Sequence, residues 1–214
     1  MSEPVRGTVA FDVIGTLYAL DPVRKAFGEA GAADGTLERW LAAGLRDYFA
    51  VSHSGGYVPF KDVLADGLDE DIRPRVLEAM LQLDPAPGGV EACRQLAADG
   101  WRLVTLTNAS EQMTRSLLER AGIADLFQAV LSCDSISKSK PHPDVYALAA
   151  REAEGALWMV ASHPWDLGGA ARAGLRTAWV RHEGARWPAY LAAPDVEAQD
   201  LAALADLILA TARP

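Results

Sequence analysis

The chain has 214 residues, half of them hydrophobic, enough to bury the core of one α/β domain and to carry a smaller insert. Its formal net charge of −9, without any run of Lys and Arg, argues against a nucleic-acid or anionic-membrane partner. No apolar stretch approaches the roughly 18 residues needed to span a bilayer, and the opening MSEPVRGTVAFDVIG lacks the apolar segment of a signal peptide. The two cysteines, Cys93 and Cys133, stand far apart without metal-ligand spacing. They read as reduced core thiols and place the protein in the cytoplasm.

Short apolar runs predict buried parallel strands at Thr8–Ile14, Arg102–Thr107, Ala129–Ser132, Leu157–Ala161 and Thr177–Val180. From the second run onward, helical patterns separate them. Residues 89–99 place Val90, Cys93, Leu96 and Ala97 on one face, and Gly100 stops the helix. Ser110 caps the next helix, whose apolar positions are Met113, Leu117 and Leu118, with Gly122 at its end. Helices are expected again over 143–153 and 165–173. A surface loop over 183–196 precedes a last helix at 198–211. This alternation predicts an α/β fold, a Rossmann-like parallel sheet.

Nearly ninety residues separate the first two strands, too many for a crossover loop. They read as helices around 21–30, 36–50, 59–66 and 71–82, broken at Gly31, at Ser54-Gly55-Gly56 and at Asp84-Pro85-Ala86-Pro87-Gly88. The expected organisation is a catalytic core of residues 1–16 and 89–214 with a helical cap, 17–88, inserted over it.

Ligands of an open parallel sheet bind at the carboxyl ends of its strands. Four polar clusters fall there: Asp12 to Thr16, Thr107-Asn108, Lys140, and Ser162-His163-Pro164-Trp165-Asp166. Each alone has a structural explanation as a turn, a helix cap or a solvated charge. Together they suit covalent catalysis: a carboxylate becomes a competent nucleophile when water is excluded and a fixed cation holds it ionised. Lys140 would supply the cation and Asp166 would orient Lys140. Thr16, Thr107 and Asn108 offer short hydrogen-bond donors.

FDVIGTL, TLTNAS, KPHPDVY and ASHPWDLGGAARAGLRTAWV resemble, in order and spacing, the four motifs of the haloacid dehalogenase superfamily, and most closely its 2-haloacid dehalogenase branch. The resemblance implies that Asp12 is the nucleophile and that Thr16 bonds to it. It places Asn108 at the leaving-halide site beside Thr107, and makes Lys140 the motif lysine and Asp166 the fourth-motif carboxylate. It puts Tyr146, Trp165, Phe60 and the residue at Ile14 around the substrate. The family's cap arginine, which binds halide or carboxylate, would be Arg39, with Arg46 as the other candidate. The implied reaction is SN2 cleavage of the carbon–halogen bond of a small 2-haloacid through an aspartyl ester, with no cofactor. A cap-mediated homodimer also fits the resemblance.

The sequence departs from related patterns in two directions. Phosphatases of the superfamily carry a second Asp two residues after the nucleophile and a further acidic Mg²⁺ ligand. Here those positions are Ile14 and Ser162. An aliphatic side chain cannot supply the general-acid assistance that is worth roughly 10²–10⁴-fold, and Mg²⁺ favours hard oxygen ligands. A halide needs neither proton nor metal. Against the dehalogenase pattern, Ala161 and His163 replace a Ser and an Asn that hold the Asp and the hydrolytic water. His163 is a candidate replacement base, with helix capping or packing on Trp165 as its structural alternative. The rivals are a Mg²⁺-dependent phosphatase, attack by Asp12 on an activated carbon–nitrogen or carbon–oxygen bond, and a protein of this fold that has lost turnover.

Overall fold

The computed structural model describes residues 5–211. In chain order the elements begin with β1 (Gly7–Phe11) and the two-residue strand β2 (Tyr18–Ala19). The helices α1 (Asp21–Glu29), α2 (Thr36–His53), α3 (Phe60–Asp66) and α4 (Arg73–Met80) follow, then β3 (Asp84–Pro85). Next come α5 (Gly89–Ala98), β4 (Trp101–Thr107), α6 (Glu111–Arg120), β5 (Phe127–Ser132) and α7 (Pro143–Glu152). The chain continues with β6 (Ala156–Ala161), α8 (Pro164–Arg172), β7 (Arg176–Val180), β8 (Val196–Ala198) and α9 (Leu201–Thr211).

Six parallel strands form one sheet in the order β5-β4-β1-β6-β7-β8. The chain builds outward from β1 on one side, then returns to add β6 on the other. The strand order therefore reverses beside β1, which opens a crevice at its carboxyl end. Successive side chains of a strand point to opposite faces, and both faces here are covered. Val9 and Phe11 join the apolar cluster that includes residues of α5, α6 and α9, whereas Ala10 joins the cluster with Val145 and Ala149 of α7 and Leu167 and Ala170 of α8.

The four helices between β1 and β4 pack on one another, α1 against α2 and α4, and α2 against α3. The ends of this segment meet where β2 and β3 pair antiparallel, Tyr18 opposite Pro85 and Ala19 opposite Asp84. The predicted core ends 1–4 and 212–214 lie outside the described residues.

All five predicted strands are present, with two differences. The first ends at Phe11 rather than Ile14, because Asp12 already begins a tight turn that requires Gly15 at φ 76°. The loop foreseen over 183–196 holds as far as Asp195, and β8 then pairs with β7 from Val196 to Ala198, which the sequence did not show. Three residues of sequence Val-Glu-Ala are too few for alternation to be legible. The last helix begins at Leu201 instead of 198. Among the described residues, no helix is long and apolar enough to cross a membrane.

Candidate active site

Asp12 leaves the sheet while its N–H still donates to Val160 O at 2.9 Å, so the carboxylate is held in register with β1. The turn that follows closes through Gly15 N to Tyr18 O, 2.8 Å, and Tyr18 N to Val13 O, 2.9 Å. Only glycine suits position 15. Its φ of 76° lies in the left-handed region, and a Cβ would stand 3.2 Å from His163 Nε2. The Gly15 carbonyl accepts from Ser162 Oγ at 2.7 Å and pairs with His182 Nε2 at 3.1 Å. Ser162 N donates to Thr16 Oγ1 at 3.0 Å, and Thr16 Oγ1 donates in turn to Asp12 Oδ2 at 2.7 Å.

The other carboxylate oxygen meets the cation. Lys140 Nζ lies 3.1 Å from Asp12 Oδ1 and 2.7 Å from Asp166 Oδ2, and its side chain is completely buried. Burial works against the ammonium, yet Asp12 and Asp166 together hold its pKa above the ordinary lysine value. Burial pushes the Asp166 carboxyl above the usual range, Lys140 pulling the other way and Asp12 adding to the rise. Tyr146 Oη stands 2.8 Å from Asp166 Oδ1 and 2.9 Å from its carbonyl. Burial and the neighbouring Asp166 keep that phenol protonated and able to donate. A buried ion pair of this kind contributes little net stability, but removing one partner strands the other charge and costs about 3–5 kcal/mol.

Above Asp12 lies a small chamber lined by Ile14, Leu41, Leu45, Phe60, Thr107, Asn108, Ala109, His163 and Trp165. Its volume of about 20 Å³ is room for roughly one water. Asn108 Oδ1 accepts from Lys140 N and from Cys133 Sγ, each at 3.1 Å. A backbone N–H can only donate, so the amide oxygen faces Lys140 and the amide N–H groups remain for the chamber. Thr107 Oγ1 accepts from Ala109 N at 3.0 Å. His163 precedes α8 without a capping bond from its side chain. Its ring stacks on Trp165 at a centroid distance of 5.5 Å, and Trp165 meets Phe49 of α2 edge-on at 4.9 Å.

The structure thus gathers Asp12, Ile14, Thr16, Phe60, Thr107, Asn108, Lys140, His163, Trp165 and Asp166 within one connected group. The two candidate arginines and Tyr146 fall outside the chamber. Arg39 is exposed on the first turns of α2, where it donates to Asp34 O at 3.3 Å and Thr36 Oγ1 at 2.9 Å. Arg46 is also exposed, 2.7 Å from Asp47, and lines an outer groove with Phe49, His53 and Trp165. Where a cap arginine was expected to reach the substrate, α2 presents Leu41 and Leu45. Tyr146 stands behind Asp166 and is absent from the chamber lining, because its hydroxyl is committed to Asp166.

Sequence reasoning missed Leu41, Leu45 and Ala109 as chamber walls and Ser162 and His182 as supports of the Gly15 turn. The spacing of four between Leu41 and Leu45 was a readable signal of one helix face; the His182 contact, between residues 167 positions apart, was not. Among the described residues, no group of three or more His, Cys, Asp or Glu is arranged to hold a metal ion.

Comparison with known proteins accords with this geometry. Residues 7–174 match the family model of haloacid dehalogenase-like hydrolases. The chain is 30% identical to an (S)-2-haloacid dehalogenase of Pseudomonas sp. (strain YL), over 93% of each chain. It is 29% identical to haloacetate dehalogenase H-2 of Moraxella sp. (strain B), over 94% of this chain and 96% of that one. The structure superposes on L-2-haloacid dehalogenase of Xanthobacter autotrophicus with a TM-score of 0.82 and 26% identity, covering 96% of this chain and 98% of that one. That enzyme is also solved with chloropropionic acid covalently bound, at a TM-score of 0.81. With the family model spanning most of its length, and with an Asp–Lys–Asp group at the crevice beside its first strand, this chain belongs to the haloacid dehalogenase-like hydrolases.

Proposed function

We propose that the protein cleaves the carbon–halogen bond of a 2-haloacid through an ester on Asp12. The observation that carries this reading is a carboxylate, Asp12, pinned by Thr16 and Lys140, that faces an apolar chamber with Ile14 where a phosphatase needs its proton donor. The relatives named for haloacid cleavage support the same reading.

Asp12 attacks the carbon that bears the halogen, the carbon–halogen bond breaks, and halide departs toward the free amide N–H groups of Asn108. The substrate carboxylate lies at the amino end of α6, where the helix dipole favours an anion; among the described residues no guanidinium lines the chamber. Water then attacks the ester carbonyl carbon and gives up its proton to His163. The 2-hydroxy acid leaves with an oxygen that came from Asp12. Residues 17–88 act as a cap that must open, since the chamber as it stands holds about one water. The two free, buried thiols suit a reducing cytoplasm.

Phosphoryl transfer fits the residues poorly. Lys140 already bridges Asp12 and Asp166, and at Ser162 a neutral hydroxyl, bonded to the Gly15 carbonyl, stands where a carboxylate ligand would be needed, so the donors present do not fit a Mg²⁺ ion. The test is halide release without added metal from chloroacetate, fluoroacetate and both enantiomers of 2-chloropropionate. Release that falls at least about a thousandfold in Asp12→Asn, the scale on which loss of a nucleophile acts, is the expected result. Metal-dependent phosphate release without halide release from any acid would refute the reading.

A further inference from the structure

A second cavity adjoins the reaction chamber. It is a groove of about 640 Å³ at the seam between α3, α4 and α6, within the usual range for sites that hold an organic ligand. Its apolar lining comes from Leu64, Leu77, Met80 and Met113, and polar Lys61, Gln112 and Ser116 also border it. Ile14, Phe60 and Ala109 line both this groove and the chamber above Asp12. The partition between the two is therefore one side chain thick.

We propose that this groove takes the alkyl tail of the substrate, which makes extended 2-haloacids the better substrates; the proposal rests on the dehalogenase reading above. The chamber has room for about one water, while the groove beside it is more than an order of magnitude larger. With the reactive carbon over Asp12 and the carboxylate at α6, a chain on the same carbon has an outlet past Ile14 and Phe60. The groove walls it meets there are leucine and methionine, and methionine adapts its shape to an irregular chain. Each methylene moved from water onto such walls strengthens binding by roughly fourfold. The cap supplies α3 and α4 and the core supplies α6, so a tail in the seam also favours the closed arrangement of the two.

The experiment compares kcat/KM for chloroacetate, 2-chloropropionate, 2-chlorohexanoate and 2-chlorooctanoate in the wild type and in Ser116→Trp. Ser116 is exposed on α6 and borders the groove alone. In the wild type kcat/KM rises by about tenfold or more from 2-chloropropionate to 2-chlorohexanoate. Ser116→Trp removes that rise and leaves chloroacetate turnover unchanged. A flat or falling series, or a rise that survives Ser116→Trp, overturns the proposal. If no acid of any length releases halide, the dehalogenase reading has failed, and calorimetric titration with octanoate decides the groove separately. Binding weakened about tenfold or more by Ser116→Trp supports it; absent or equal binding overturns it.

Discussion

At the scale of single residues, the site divides labour between groups that react and groups that hold them. Lys140 is the hinge of that division, since it binds Asp12 and Asp166 at once while fully buried. His163 is the residue whose role is least fixed by precedent in the motifs. It lines the chamber, stacks on Trp165 and spends no side-chain bond on capping α8. If it is the base for the second half-reaction, His163→Ala forms the ester but hydrolyses it slowly. Intact-protein mass spectrometry should then find an adduct on Asp12, with steady-state turnover reduced about 10²–10⁴-fold. Undiminished turnover without an adduct would remove His163 from the chemistry. Asp12, Lys140 and Asp166 were legible in the sequence because strand ends converge by rule. Arg39 was misplaced because a side chain's direction on a helix depends on how that helix docks, which no local spacing records.

Between elements, the site depends on how closely α7 and α8 approach. A Cβ at Gly169 of α8 would lie 2.4 Å from Tyr146 Oη and 2.7 Å from Pro141 Cβ. Gly169→Ala should therefore push Tyr146 off Asp166 and destabilise the fold by about 1–3 kcal/mol, as overpacking does. Denaturant unfolding would register the loss, and kcat should fall in the protein that remains folded. No change in either would mean that α8 shifts freely and that the tight approach has no consequence. On the other side, the helical segment between β1 and β4 is tied to the rest of the chain at several points. Ser139 N donates to Ser52 Oγ at 3.0 Å, Tyr57 donates to Asp134, and Arg120 Nη1 donates to Leu81 O at 2.9 Å. The helices themselves were readable from periodicity and from the glycine and proline breaks. These ties were not, because they join residues distant in sequence, and β8 was missed because three residues carry no period.

For the whole molecule, a parallel sheet covered on both faces buries groups that must stay neutral. Burial pushes the Cys93 thiol from 9.0 up to about 12, and the Cys133 thiol likewise to about 12. In the unfolded chain each thiol ionises near its ordinary value, so between pH 9 and 12 the folded state holds more protons. Stability is then fully present below about pH 9 and falls as pH rises toward 12. Cys93→Ala should flatten this alkaline loss by a few kcal/mol, of the order of three pKa units, when unfolding free energy is measured across that range. An equally steep loss in the variant would contradict the buried-thiol account. The alternation of strands and helices revealed this architecture in the sequence, since length and apolar runs alone separate a parallel sheet from its crossovers. What it withheld was which faces of α2, α3 and α4 turn toward the strand ends, on which both the chamber and the adjoining groove depend.

The covalent ester on Asp12 is the claim on which the rest stands, and a single turnover in water labelled with oxygen-18, with enzyme in excess over 2-chloropropionate, tests it most directly. Attack by Asp12 followed by hydrolysis at its carboxyl carbon places the label in the Asp12 peptide and leaves the first-turnover 2-hydroxy acid unlabelled. Label that appears at once in the hydroxy acid, with Asp12 unlabelled, would mean that water attacks the substrate directly and would contradict the account.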